Sequence, residues 1–268
     1  MGFLRERRRE RLRRQGLSED DQEAVQRNVG LLRRLSQDDR RELLGHARVL
    51  LEEKHFEGAA GLEVTEEMRV TISALAAVLL LHRRTAYFAK LVSVILYPGM
   101  YLADEPIQDP LAGIVYEGPE ERLGESWRQG ALVVSWEDAL AQAGGTIPGR
   151  NVVLHEFVHQ LDAENGAMDG IPLILPAAGL RAWAGVMERE YEEFRRAVSR
   201  GWDAGLDSYG ATNLAEFFAV SSEAFFELPV RLKESRPRLY EALAAYYRQD
   251  PATWPGAEPA YGTHTVTA

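Results

Sequence analysis

The sequence predicts an α+β fold, on three observations. Short stretches rich in Val, Ile and Leu fall in the first half of the chain. Long segments with helical periodicity and capping residues dominate the second half. The 268 residues, 46% of them hydrophobic, suffice for one sizeable core or two small domains. Strands early and helices later make a small sheet joined to a helical body, with a helical section at the N-terminus.

In chain order, Asp20 to Leu35 is apolar-periodic and reads as one helix. Ser36-Gln-Asp-Asp39 supplies an N-cap and an acidic first turn for a second helix, to about Glu53. Glu63 to Met68 reads as a short strand or loop and a cap, and Met68 to Leu81 as a buried helix. Lys90 to Tyr97, ending at Pro98-Gly99, reads as a strand. Ile114-Val-Tyr116 reads as a second short strand, and Ala131 to Trp136 as a third, before a helix from about Glu137. An antiparallel strand beside a later helix would let an extended chain pair with the sheet edge; Ala131 to Trp136 is the candidate, a plain core strand the alternative.

A turn-rich connector with Gly144-Gly145 and Pro148-Gly149 leads to Asn151, an N-cap residue. Gly166 to Pro176 is loop-like, and Gly179 to about Ser199 a charged amphipathic helix. Thr212 or Asn213 caps the next helix, which Pro229 ends, and Pro237 to Arg248 forms the last. The organisation expected is a basic arm (1–18, frayed or helical), a single domain (19–250) and a flexible tail (251–268). No internal repeat is visible.

Composition excludes several functions. With no Cys there is no disulfide, cysteine nucleophile or thiolate metal site. A net charge of −10 argues against general nucleic-acid binding. The local exception is Arg5 to Arg14, with seven Arg and two Glu. It is either an RNA-, membrane- or partner-binding arm or a solvated helix start. The basic run leads into Ser18-Glu-Asp-Asp21 rather than an apolar stretch, so no export signal is expected. The longest apolar run, Leu75 to Leu81, is too short to span a bilayer. A cytoplasmic location is expected.

The chemistry concentrates in Asn151-Val-Val-Leu-His-Glu-Phe-Val-His-Gln160, a His-Glu-x-x-His pattern. Positions i and i+4 lie one turn apart on one helix face, so His155 and His159 can hold one metal ion. Glu156 starts beside the first ligand and can reach a water there. Two imidazoles with a carboxylate base are the arrangement of a zinc hydrolase. With six His in the chain, chance gives roughly 0.02 such patterns.

A catalytic zinc usually takes three protein ligands. The metzincin spacing would put a His at 165, where Asn165 stands, and the only later His is His264. The third ligand is therefore expected to be a carboxylate on a later helix. Glu216 and Glu223, seven apart among Phe, Ala and Val, share a helix face. The apolar context and nearby N-cap favour Glu216; Glu223 is the alternative, or an acceptor for a ligand His N–H.

His155 to Gly166 (His-Glu-Phe-Val-His-Gln-Leu-Asp-Ala-Glu-Asn-Gly) resembles the Mlc titration factor A family of zinc peptidases. So does Tyr209 through Thr212-Asn-Leu-Ala-Glu-Phe-Phe-Ala-Val to Phe226-Glu-Leu-Pro229. Gly124-Glu-Ser-Trp127, Leu132-Val-Val-Ser-Trp136, Ile95-Leu-Tyr-Pro98 and Tyr246-Tyr-Arg-Gln-Asp-Pro251 extend the likeness from about Glu53 to Pro251. The zinc motif is shared by many families; its combination with Tyr-x6-Glu-Phe-Phe-Ala-Val is specific.

The resemblance implies a zincin-like core related to the catalytic domain of anthrax lethal factor. It implies one zinc per chain on His155, His159 and Glu216, Glu156 as general base, and Tyr209 facing the oxyanion. From the residues alone, Ser208-Tyr209-Gly210 could equally be a packing loop. Thermolysin-like enzymes carry an acid four residues after the ligand Glu; here that position is Val220. Support for the ligands must come from elsewhere, with Asp162 a candidate beside its reading as an ordinary helix-end acid.

The activity expected is cleavage of a peptide substrate, by an aminopeptidase or an endopeptidase. The competing expectation is an anti-repressor-type protein that captures an Mlc-like transcription factor, with a regulatory role in the glucose phosphotransferase system. A pure binder has no need of Glu156.

Overall fold

A computed structural model describes residues 2–99, 130–145, 148–173 and 177–257. Six helices start on a side chain that accepts a backbone N–H of the first turn: Ser18, Ser36, Thr65, Ser135, Asn151 and Asn213. They begin α2 (Glu19–Asn28), α3 (Gln37–Glu53), α4 (Glu66–Val78), α5 (Trp136–Ala143), α6 (Val152–Asp162) and α8 (Leu214–Glu227). Acidic residues in the first turns of α2, α3, α4 and α5 face the positive end of the helix dipole.

Helix α4 is the centre of the molecule. Every residue from Val70 to Val78 is buried, as expected of a helix apolar on all sides. It packs on α2, α3, α5 and α6. Asp20 to Leu35 is not one helix. α2 stops at Asn28, Val29 is extended, and Gly30–Arg34 is a 3-10 turn. Gly30 lies against α5; a Cβ there would stand 3.2 Å from the Ala143 carbonyl oxygen.

Three strands, β1 (His55–Gly58), β2 (Ser93–Tyr97) and β3 (Ala131–Ser135), pair in the order β1-β2-β3. All are parallel. This corrects the expectation of an antiparallel strand for Ala131 to Trp136: among the described residues β3 is one of the two outer strands, it packs on α6, and it runs parallel to β2. Strand β1 is too short and polar to show in the sequence; its ladder with β2 defines it. Ile114 to Tyr116 lies outside the described residues. Alternate residues of β2 and β3 are buried (Val94, Leu96, Leu132, Val134), the period-two pattern of a half-buried sheet.

The C-terminal half adds α7 (Ala177–Ser199), a 3-10 turn (Ser208–Ala211), α8, α9 (Pro229–Ser235) and α10 (Pro237–Tyr247). An aromatic cluster of Phe218, Phe225, Phe226, Tyr240, Tyr246 and Tyr247 joins α8 to α10. Of the expected tail, Pro251–Thr253 forms a 3-10 turn with Pro251 buried, and the rings of Trp254 and Phe226 lie 6.3 Å apart. The rest, 258–268, is outside the described residues.

The basic segment is helix α1 (Gly2–Gln15), laid on α3. Arg9 is 5% exposed. Its Nε and Nη2 donate to the two carboxylate oxygens of Glu53 at 2.9 and 2.8 Å, and its guanidinium lies over the Tyr87 ring. Arg5 and Arg8 bond Glu53 and Glu52. Much of the arm's charge is therefore spent within the molecule. Close approach is possible because α3 carries Gly45, where a Cβ would come 3.1 Å from the Arg13 carbonyl.

Candidate metal centre

Helices α6 and α8 pack on each other, and their facing turns carry the site. Asn151 caps α6 through its Oδ1, which accepts from the Leu154 N–H. That cap fixes the first turn, and with it His155. On α8, Asn213 accepts from the Glu216 N–H and fixes that side chain in the first turn. His155, His159 and Glu216 each offer one ligand atom, all within 4.8 Å of one another. The two Nε2 atoms are 3.1 Å apart, and Glu216 Oε2 lies 3.0 Å from His155 Nε2 and 3.4 Å from His159 Nε2.

His155 is oriented by its other nitrogen. Nδ1 donates to Glu223 Oε1 at 2.7 Å, which leaves the Nε2 lone pair for a metal. Glu223 Oε2 accepts the Asn151 backbone N–H at 2.6 Å, and Asn151 Nδ2 donates to Glu227 Oε1 at 2.9 Å. Asn151 thus ties the start of the motif helix to two carboxylates of α8. Of the two readings of Glu223, the geometry matches that of an acceptor for a ligand His N–H.

Burial and the hydrogen bonds between these groups shift their pKa values in opposite directions. Burial disfavours a charged His155, but hydrogen bonds to Glu216 and Glu223 outweigh it and hold the ring well above the usual histidine range. Burial pushes His159 down. Burial also works against an ionised Glu216, yet the two histidines bring it to about 2. Glu156, 7% exposed, is pushed up to about 7 by burial. Its Oε2 is buried with no hydrogen-bond partner among the described residues. An unpartnered carboxylate oxygen beside three converging donors fits a centre that takes a metal ion and a water.

Tyr209 sits on the 3-10 turn Ser208–Ala211, 43% exposed, its ring 6.1 Å from that of His155. Asp207 accepts the Tyr209 backbone N–H at 2.9 Å and ion-pairs with Arg150, one residue before the α6 cap. Asp162 Oδ2 accepts the Gly170 N–H at 2.8 Å, and burial raises its pKa to about 6. It holds the loop after α6. The sequence reading missed Glu227, Arg150 and Asp207. The only available signal was their nearness to Asn151, Pro229 and Tyr209.

Two neighbouring helices bearing a His-Glu-x-x-His pair and a third carboxylate, beside a small sheet, are the features of a metallopeptidase. The chain belongs to the glucose-regulated metallo-peptidase M90 family, whose family model matches residues 4–248. It is 33% identical over 226 residues to Mlc titration factor A of Serratia proteamaculans, covering 83% of this chain and 85% of that protein. The same identity extends over 229 residues of Mlc titration factor A of Yersinia pestis, covering 84% and 83%. An uncharacterized protein of Synechocystis sp. is 33% identical over 218 residues, covering 81% and 79%. Membership implies a metal and a peptide substrate. No helix among the described residues is long and apolar enough to cross a membrane.

Proposed function

We propose that this metallopeptidase is a zinc enzyme that hydrolyses peptide bonds with Glu156 as general base. The observation that carries the reading is the convergence of His155, His159 and Glu216 beside Glu156, whose Oε2 has no hydrogen-bond partner among the described residues. These three residues would hold one zinc ion. Nitrogen and oxygen donors suit that ion, which supplies Lewis-acid chemistry and brings the pKa of a water to about 7.

Glu156 takes the proton of the attacking water as its oxygen adds to the scissile carbonyl. It then delivers that proton to the departing amine, so the peptide C–N bond breaks and one water is consumed. The Tyr209 hydroxyl donates to the oxyanion of the tetrahedral intermediate; its exposed position on a turn near His155 supports this. Glu223 acts through His155, fixing the tautomer and ring angle.

The test is Glu156→Gln, which keeps the side chain's size and removes its basicity. Zinc content is expected to stay at wild-type level while cleavage of a peptide library falls by about 10²–10⁴-fold. Cleavage at the wild-type rate would exclude Glu156 as the base.

A second role is supported by the name of two relatives, Mlc titration factor A. A regulatory chain would bind an Mlc-like transcriptional repressor in the cytoplasm and act on the glucose phosphotransferase system. Glu156→Gln separates the two roles, because repressor capture is expected to survive the loss of cleavage.

A further inference from the structure

Three carboxylates of α8 meet groups of α6 and its cap. Glu216, Glu223 and Glu227 stand at i, i+7 and i+11, a spacing that returns to one side of a helix. Glu216 meets the two histidines, and Glu223 takes His155 Nδ1. Glu227 is eleven residues past Glu216, roughly 16 Å along the helix.

Nothing local favours an acid at 227. It occupies the last turn of α8, at the negative end of the helix dipole. Burial pushes its carboxyl up to about 7, against the pull of the Asn151 amide and of Arg34. What it gains is a hydrogen bond: Oε1 accepts from Asn151 Nδ2 at 2.9 Å.

Asn151 is fully buried, and each of its polar atoms has a partner. Two of them lead to His155. The Asn151 carbonyl accepts the His155 backbone N–H at 2.9 Å. The Asn151 N–H donates at 2.6 Å to Glu223, whose other oxygen accepts from the His155 ring at 2.7 Å. A shift of Asn151 therefore moves both the backbone and the ring of that histidine. Capping alone does not call for Asn here, since Ser caps α2, α3 and α5 of the same chain. What Asn adds to Ser is an amide donor, and that donor goes to Glu227.

We propose that Glu227 is a positioning residue of the metal centre. It holds the Asn151 amide, Asn151 holds the start of α6 and Glu223, and these set the place and ring angle of His155. The role presupposes the zinc centre at His155, His159 and Glu216.

Two variants of Glu227 separate position from charge. Glu227→Gln and Glu227→Leu remove the same charge, but only Gln keeps an oxygen for the Asn151 amide. Zinc affinity of the full chain, read by chelator competition, is expected to fall about 10–100-fold in Glu227→Leu and to stay within a few-fold of wild type in Glu227→Gln. The His155 Nδ1–H resonance of the zinc-loaded chain is expected to stay in place with Gln and to move with Leu. A residue that only held the fold would lower the unfolding temperature and move neither the resonance nor the zinc affinity. Asn151→Ser reaches the same bond from the other side, because it keeps a capping hydroxyl and loses the amide. It is expected to weaken zinc as Glu227→Leu does, with little further loss when the two are combined. Equal zinc affinity in Glu227→Leu and Glu227→Gln, an unmoved Nδ1–H resonance in Glu227→Leu, or fully additive losses in the combined variant overturns the role of Glu227. A wild-type chain that takes up no zinc overturns the metal centre itself, and the role with it.

Discussion

His155, His159 and Glu216 lie between two packed helices, whereas Asp39, Glu42 and His82 lie at the start of α3 and just past the end of α4. Both groups bring one ligand-type atom from each residue within 4.8 Å of the others. Their surroundings differ. At the first, Glu223 occupies His155 Nδ1, so both Nε2 atoms converge with Glu216 on one point. At the second there is one imidazole and no second nitrogen to converge with it: His82 Nε2 faces Asp39 at 3.0 Å and Nδ1 faces Glu42 at 3.4 Å. The His82 side chain is 41% exposed and the Glu42 carboxylate also accepts the His82 backbone N–H. Proximity of donors is common to both groups. Of the two groups, a second imidazole, a more buried location and a neighbouring acid with an unpartnered oxygen, Glu156 Oε2, are found only at the first.

The contrast can be broken most strongly by removing a histidine from each group. His155→Ala is expected to lose stoichiometric zinc, while His82→Ala keeps wild-type metal content by atomic emission. Equal loss in both variants would erase the distinction. Next, Tyr209→Phe is expected to lower kcat by about 10²–10³-fold with zinc unchanged; a lowered zinc content would make Tyr209 structural instead. Glu223→Gln, which weakens support for His155, is expected to cost about 10–100-fold in zinc affinity, read by chelator competition, whereas Glu42→Gln changes it not at all.

The smallest effect belongs to the second group as an ion pair. The Glu42 carboxyl is held below its usual range, first by its hydrogen bond to His46, against burial, and then by the His82 N–H. A depressed carboxylate pKa stabilises the fold above the unfolded value, and that stability fades as pH falls through the folded one. Glu42→Gln is therefore expected to destabilise the chain near neutral pH by less than about 1 kcal/mol. In urea denaturation the gap should close below about pH 4.5, the ordinary carboxylate range. A gap that widens in acid would reverse the sign.

Local signals carried much of this architecture. The caps Ser36, Asn151 and Asn213 and the i,i+4 histidines are written in neighbouring residues, and so were legible. The break at Val29 was not, because it depends on Gly30 meeting α5 more than a hundred residues later. Strand direction was not legible either: it belongs to the ladder between β2 and β3, not to the Val-rich text of each strand. Glu216 and Glu223 lie two turns apart on one face, and the sequence ranked Glu216 first only on its apolar context and nearby N-cap. What separates them is which edge of His155 each meets across the helix interface, a contact spanning 61 or 68 residues. The Arg-rich start read as a solvated or binding segment because its acidic partners, Glu52 and Glu53, lie over forty residues away.

The most direct measurement is an anomalous-scattering map collected at the zinc edge from crystals of the full chain. The expected result is one peak about 2.0–2.2 Å from His155 Nε2, His159 Nε2 and a Glu216 oxygen, with Glu223 still bonded to His155 Nδ1. A peak on Glu223 rather than Glu216, or at Asp39 and His82 alone, would contradict it.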